Sequence, residues 1–96
     1  MTFDAFLIST KEARPPDGLS QGLRALWQDA KGSWEAAHET AQAGEGGEAD
    51  WVHAYLHRKE GDTGNAAYWY RRAGKPFSKE SLDEEWRAIT AALLPK

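Results

Sequence analysis

Residues 50–73 read DWVHAYLHRKEGDTGNAAYWYRRA, a stretch in which two segments of helical periodicity flank a glycine. The apolar residues of the first segment recur at helical spacing and are Trp51, Val52, Tyr55 and Leu56. Those of the second segment share a common face and are Ala66, Trp69, Tyr70 and Ala73. Because Gly61 can end a helix and Asp62 can cap the next one, the stretch predicts a helical hairpin.

The same order of features occurs 29 positions earlier in the chain. Three pairs of residues align at this offset: Gly32 with Gly61, Ser33 with Asp62, and Ala37 with Ala66. Small residues where two helices cross let their axes approach closely. The sequence therefore predicts two hairpins, residues 19–43 and residues 50–74, that stack on each other.

The second hairpin also carries a family likeness. The residues concerned are Ala54-Tyr55, Gly61-Asp62, Asn65-Ala66 and Trp69-Tyr70-Arg71-Arg72-Ala73. They resemble the consensus of tetratricopeptide and Sel1-like repeats, and the resemblance covers about residues 20–76. Those families stack helical hairpins and mostly serve as protein-interaction scaffolds, so the resemblance implies that arrangement and that role here. The period of 29 residues is shorter than the family's period of about 34 residues.

Helices are predicted on both sides of the hairpins, over residues 1–14 and residues 78–94. Ser81 and Glu84 fit a capping box at the start of the C-terminal helix. With 16 Ala against 2 Ile and 1 Val, the composition favours helix over strand. We therefore predict one all-α domain, residues 1–96, of five or six helices: stacked antiparallel hairpins with the flanking helices as caps.

The composition excludes several classes of protein. The 96-residue chain has no cysteine, which removes disulfides, thiolate zinc sites and cysteine nucleophiles. Its first residues lack the basic segment of a signal peptide, and no run approaches the ~20 apolar residues of a membrane span. A net charge of -3 argues against nucleic-acid binding. We expect a cytoplasmic protein that does not associate with membranes.

A cluster of aromatic and basic residues indicates where a partner could bind. Three successive aromatics, residues 68–70, cannot all face one core, so Tyr68 should lie toward Arg71 and Arg72. Tyrosine and arginine are enriched at interface hot spots. We predict that Tyr68, Arg71, Arg72 and Arg58 bind an acidic or anionic protein partner. In the alternative, Arg71 and Arg72 pair with the chain's own acidic segment, residues 29–51. Stacking of single-stranded RNA on Tyr68 is a weaker variant of partner binding.

The histidines suggest a different function. Asp50, His53 and His57 share one helix face, and the spacing of His53 and His57 suits two metal ligands. Further ligands could come from His38, Glu39, Glu60 or Asp62. With Trp51 at 0°, that face lies at roughly 180° to 260°, away from the hairpin interior, whereas His38 lies on the inner stripe of its own helix. We therefore expect the three imidazoles to point in divergent directions.

No complete catalytic set is present in the sequence. Residues 18–22 match the G-x-S-x-G pattern, but prolines precede them instead of a strand, so Ser20 is predicted to be a helix N-cap. The first hypothesis is thus a small non-catalytic module for protein interaction or assembly. The alternatives are a metal-binding protein or metal-dependent enzyme using zinc or iron at Asp50, His53, His57 and His38, and a homo-oligomer joined through its aromatic residues.

Overall fold

In a computed structural model of the chain, the described residues are 1–95, and they form six helices. These are α1 (Phe3–Ser9), α2 (Gln21–Ala30), α3 (Trp34–Ala43), α4 (Gly47–Lys59), α5 (Thr63–Ala73) and α6 (Leu82–Leu93). Residues 1–95 contain no strand, so the prediction of an all-α chain with five or six helices is confirmed. The longest helix in this range has 13 residues, and none combines the length and hydropathy that a bilayer span requires.

Three helices begin at the capping residues that the sequence offers. The cap side chain accepts a backbone N–H bond in each: Ser20 from Leu23 at 3.3 Å, Asp62 from Asn65 at 3.1 Å, and Ser81 from Glu84 at 3.1 Å. Ser33 precedes α3 but forms no such bond. Helix α4 begins at Gly47, three residues before the predicted start at Asp50, and α1 is shorter than predicted.

The two hairpins turn in the same way. Gly32 and Gly61 have φ values of +88° and +89°, in the left-handed region that disfavours any side chain. In both turns the next backbone N–H donates to a carbonyl five residues back: Ser33 to Gln28 at 3.1 Å, and Asp62 to His57 at 2.9 Å. The repeated sequence pattern therefore corresponds to a repeated turn geometry.

Helix α4 lies at the centre and packs against α2, α3, α5 and α6. Six consecutive residues, 52–57, are buried, so water covers no side of this stretch. The core around it contains the large buried side chains Phe6, Leu26, Trp27, Trp86 and Ile89 from α1, α2 and α6. Three indoles each donate to a backbone carbonyl on another element: Trp27 to Ser9, Trp34 to Leu56, and Trp86 to Leu26, at 2.8 to 3.1 Å.

Candidate functional site: a histidine cluster

Three imidazoles meet between α3 and α4, and we call them the histidine cluster: His38, His53 and His57. Nε2 of His38 lies 3.0 Å from Nε2 of His53. The ring centroids are 4.7 to 5.1 Å apart, and one ring nitrogen from each residue lies within 4.8 Å of the others. The expectation that the imidazoles diverge is therefore wrong.

The physical reason is the position of α4. The helical wheel correctly separated the histidine face of α4 from its apolar face. The error was to expect that the histidine face points away from every packed helix. In the structure α3 packs there, and its own inner residue His38 points into the same interface. One sequence signal was available: residues 51–57 contain no Asp, Glu, Lys or Arg around the full circumference of the helix, which is typical of burial on all sides.

Two tryptophans form the walls of the cluster. The indole of Trp69 stacks on His53 with centroids 3.9 Å apart and planes 15° apart. The indole of Trp34 stacks on His38 at 4.9 Å and 9°, and its N–H is bonded to the carbonyl of Leu56. We predicted both tryptophans only as apolar stripe residues. The walls fix the orientation of the imidazoles and limit the access of water.

Glu60 fixes the third imidazole. Its Oε1 lies 2.7 Å from Nδ1 of His57, which leaves Nε2 of that ring for the cluster. Asp62 lies near the same pair, but it accepts bonds from the backbone N–H and the side-chain amide of Asn65. These bonds lower the pKa of Asp62.

Asp50 lies outside the cluster, with Oδ2 3.7 Å from Nε of Arg72. Of the four predicted metal ligands, the structure thus brings the three histidines together and leaves Asp50 out.

The histidine cluster holds at least two neutral rings at pH 7. Burial, with the neighbouring rings of His38 and His57, lowers the pKa of His53 to about 4. Burial also lowers the pKa of His38. A neutral imidazole has one N–H and one lone pair, so the two Nε2 atoms, 3.0 Å apart, can form one hydrogen bond in which one ring donates and the other accepts. The cluster therefore presents lone pairs, which are what a metal ion requires.

The predicted partner-binding residues divide into two groups. Tyr68, Arg71 and Arg72 are exposed on α5, and we call them the arginine surface. The guanidinium of Arg72 lies 5.1 Å from the ring centroid of Trp69 and donates to the Tyr68 hydroxyl at 3.3 Å. Its approach to Asp50 also matches the alternative of pairing with the acidic segment.

Arg58 does not belong to this surface, and its assignment to partner binding is corrected here. Its side chain is only 16% exposed and donates to Oε1 of Glu85 at 2.8 Å. It also donates to the backbone carbonyl of Glu80. An arginine whose donors face the interior in this way connects α4 to α6 and the loop before it.

Comparison of the chain with models of protein families, with curated proteins and with solved structures found no match. The resemblance of the hairpins to tetratricopeptide and Sel1-like repeats therefore stays a prediction. The histidine cluster and the arginine surface are interpreted from their own geometry.

Proposed function

We propose that this protein binds a divalent transition-metal ion, with zinc the best fit, through His38, His53 and His57. One observation carries the proposal: ring nitrogens from two helices lie within 4.8 Å of one another, and two of them are 3.0 Å apart. Tetrahedral zinc with Zn–N bonds of 2.0–2.1 Å separates its ligand nitrogens by about 3.3 Å. Binding would thus open the closest pair of ring nitrogens by a few tenths of an ångström and shorten the longer separations.

The contact between Glu60 and His57 supports the proposal. A histidine that binds a metal usually donates its other ring N–H to a carboxylate or carbonyl, which fixes the tautomer and raises the basicity of the ligand nitrogen. Glu60 occupies that position at Nδ1 of His57. The bond explains why an exposed glutamate directs its carboxylate back toward a buried ring on the same helix.

The ligand chemistry favours zinc. Neutral imidazole suits zinc, copper, iron and nickel, whereas magnesium and calcium prefer oxygen ligands. Zinc has no geometric preference from its d electrons and accepts the angles that two helices impose. Iron(II) is the next candidate, so the calorimetry described below is repeated with iron(II) to compare the two ions.

The test is calorimetry on tag-free protein that has been freed of metal with a chelator. We expect one zinc per chain, and we expect His38→Gln to weaken binding at least 100-fold because it removes the only ligand from α3. Asp50→Asn is the matched control, since Asp50 was a predicted ligand but lies outside the cluster; it should bind zinc like the wild type. Absence of zinc binding by the wild type, or normal binding by His38→Gln, would overturn the proposal.

A second candidate function is the binding of an acidic protein segment by the arginine surface, in line with a non-catalytic cytoplasmic interaction module. The observation that favours it is the arrangement of Arg72, whose guanidinium is held over the rings of Tyr68 and Trp69 while remaining exposed. A prearranged cation loses less conformational freedom when it binds a carboxylate.

A labelled hexaglutamate peptide serves as the probe for this surface. We expect the double variant Arg71→Ala, Arg72→Ala to weaken peptide binding at least tenfold. The double variant Arg24→Ala, Arg87→Ala is the charge-matched control, because both are exposed arginines outside the arginine surface, on α2 and α6. Equal weakening in both variants would mean that only net charge matters, and this candidate function would be rejected.

A further inference from the structure

The histidine cluster offers three protein ligands, one fewer than a tetrahedral ion takes. Resting on the proposed function, we propose that the fourth position is exchangeable and accepts a carboxylate from outside the chain. The ligand class would be an oxygen anion, from either a small carboxylate or an acidic side chain of a protein partner.

The nearest carboxylates are already engaged. Among residues 1–95, the only side chain that places a candidate ligand atom within 4.8 Å of those of both His38 and His53 is His57. The carboxylates of Glu60 and Asp62 lie within 4.8 Å of a ring nitrogen of His57 but do not join His38 and His53. Oε1 of Glu60 lies 2.7 Å from Nδ1 of His57, and Asp62 caps α5 through Asn65. Zinc sites with three protein ligands keep an open position for water or another ligand.

The charge of the loaded site determines which ligand it takes. Three neutral imidazoles add no negative charge, and the carboxylate of Glu60 lies one ring away, so most of the +2 charge of the ion stays uncompensated. The indoles of Trp34 and Trp69 limit solvation on two sides. A divalent charge with little water around it attracts an anion strongly. A carboxylate oxygen is an ordinary zinc ligand at about 2.0–2.2 Å.

One edge of the cluster reaches water. His53 and His57 are the buried members of the cluster, 3% and 8% exposed, whereas His38 is half-buried. The side chain of Glu60 is 38% exposed. A ligand can thus approach from the side of His38 and Glu60 without unfolding either helix.

The arginine surface adjoins the cluster through one shared side chain. Trp69 stacks on His53 on one side, and the guanidinium of Arg72 lies 5.1 Å from its ring centroid. An acidic partner segment could therefore place one carboxylate on the ion and others near Arg71 and Arg72. A free carboxylate would gain only the bond to the ion. This difference separates the two sources by experiment.

The experiment uses the full chain loaded with cobalt(II), whose visible absorption reports the ligands of the ion. Sodium acetate is titrated at constant ionic strength against sodium perchlorate, and hexaglutamate peptide is titrated separately. We expect acetate to change the spectrum saturably while perchlorate does not. If the carboxylate comes from a partner, the peptide should act at a concentration at least tenfold lower per carboxylate. The Arg71→Ala, Arg72→Ala variant should then lose that advantage but keep its response to acetate.

Each outcome bears on the proposal. Equal potency of acetate and peptide would support the exchangeable position and assign it to a free carboxylate. A spectrum that neither ligand changes, with cobalt bound, would overturn the proposal. A response that appears only in Glu60→Gln would also overturn it, since Glu60 would then be the fourth ligand in the wild type. Failure of the wild type to bind cobalt or zinc at all would reject the metal site itself.

Discussion

Two kinds of buried polar group occur in this protein, and they differ in how completely they are paired. The first kind is a tyrosine network, in which a buried carboxylate bonds a phenol and a cation. In one network Asp29 accepts from the hydroxyl of Tyr55 at 2.7 Å and from Nζ of Lys59 at 2.8 Å. The other network joins Tyr70, Glu85 and Arg58 in the same way. Burial raises the pKa of both tyrosines, so each phenol remains a donor.

The histidine cluster is paired much less completely. Its three imidazoles carry six ring nitrogens, and their side-chain bonds are one contact between two rings and one bond to Glu60. Among residues 1–95, Oε1 of Gln28 is the one fully buried side-chain atom without a hydrogen-bond partner, so the unbonded ring nitrogens of the cluster are not sealed from solvent. The tyrosine networks connect helices and pair each carboxylate with a phenol and a cation, whereas the histidine cluster keeps ring nitrogens that can bind a ligand. This contrast is why we assign structure to the networks and ligand binding to the cluster.

The largest expected effect comes from opening a closed network. Arg58→Met would leave the carboxylate of Glu85, which is 4% exposed, without its cation. Breaking a buried ion pair from one side costs about 3–5 kcal/mol. We expect that loss in the free energy of unfolding measured with urea, and we expect unchanged zinc affinity at temperatures where the variant is folded.

Lys59→Met is the matched control in the other network. Lys59 is 39% exposed, against 16% for Arg58, so water can more readily replace its ammonium at Asp29 and the loss should be only about 1 kcal/mol. A loss for Arg58→Met no larger than that for Lys59→Met would show that the second network is not the more closely coupled of the two.

The next effect is a pH dependence of the metal-free protein. The pKa of His53 falls from its ordinary value of 6.5 to about 4 on folding, so the unfolded chain binds a proton first as the pH is lowered. Stability from this group is complete above pH 6.5 and is lost as the pH falls toward 4, by on the order of 2–3 kcal/mol. Urea unfolding in the presence of a chelator would measure it.

His53→Leu isolates this contribution, because losses due to carboxylates are common to both proteins. The variant should lose less stability between pH 6.5 and pH 4 than the wild type. At pH 7 it should be within about 1 kcal/mol of the wild type, since leucine fills much of the same space and needs no hydrogen-bond partner. Parallel pH profiles for the two proteins would contradict the assigned burial of His53.

Much of the fold follows from local sequence signals. The helical class, the turns at Gly32 and Gly61 and the caps at Ser20, Asp62 and Ser81 each depend on residues within one turn of the feature they specify. Such short-range preferences act before any tertiary packing and can be inferred from the sequence alone.

The site could be predicted only in part, because it depends on packing between helices distant in sequence. The spacing of His53 and His57 correctly indicated a pair of ligands, but His38 joins them only because α3 covers the far side of α4. Likewise, Arg58 was grouped with Tyr68, Arg71 and Arg72 as a partner-binding residue, but the structure pairs its guanidinium with a buried carboxylate. Its partner Glu85 lies 27 residues away, a distance that no helical periodicity covers.

The smallest effect tests the one protein partner that the cluster does have. Glu60→Gln keeps the shape of the side chain but removes the negative charge at Nδ1 of His57. Loss of such a carboxylate typically weakens metal binding by about 10–100-fold, and the remaining amide oxygen places this variant near tenfold. Competition with a chelator of known zinc affinity would measure it. Glu35→Gln, an exposed glutamate of α3, should bind zinc normally. If the two variants bind zinc with the same affinity, Glu60 neither orients His57 nor raises its basicity. The orientation of the imidazoles would then depend on the packing of α3 and α4 and on the stacked indoles alone.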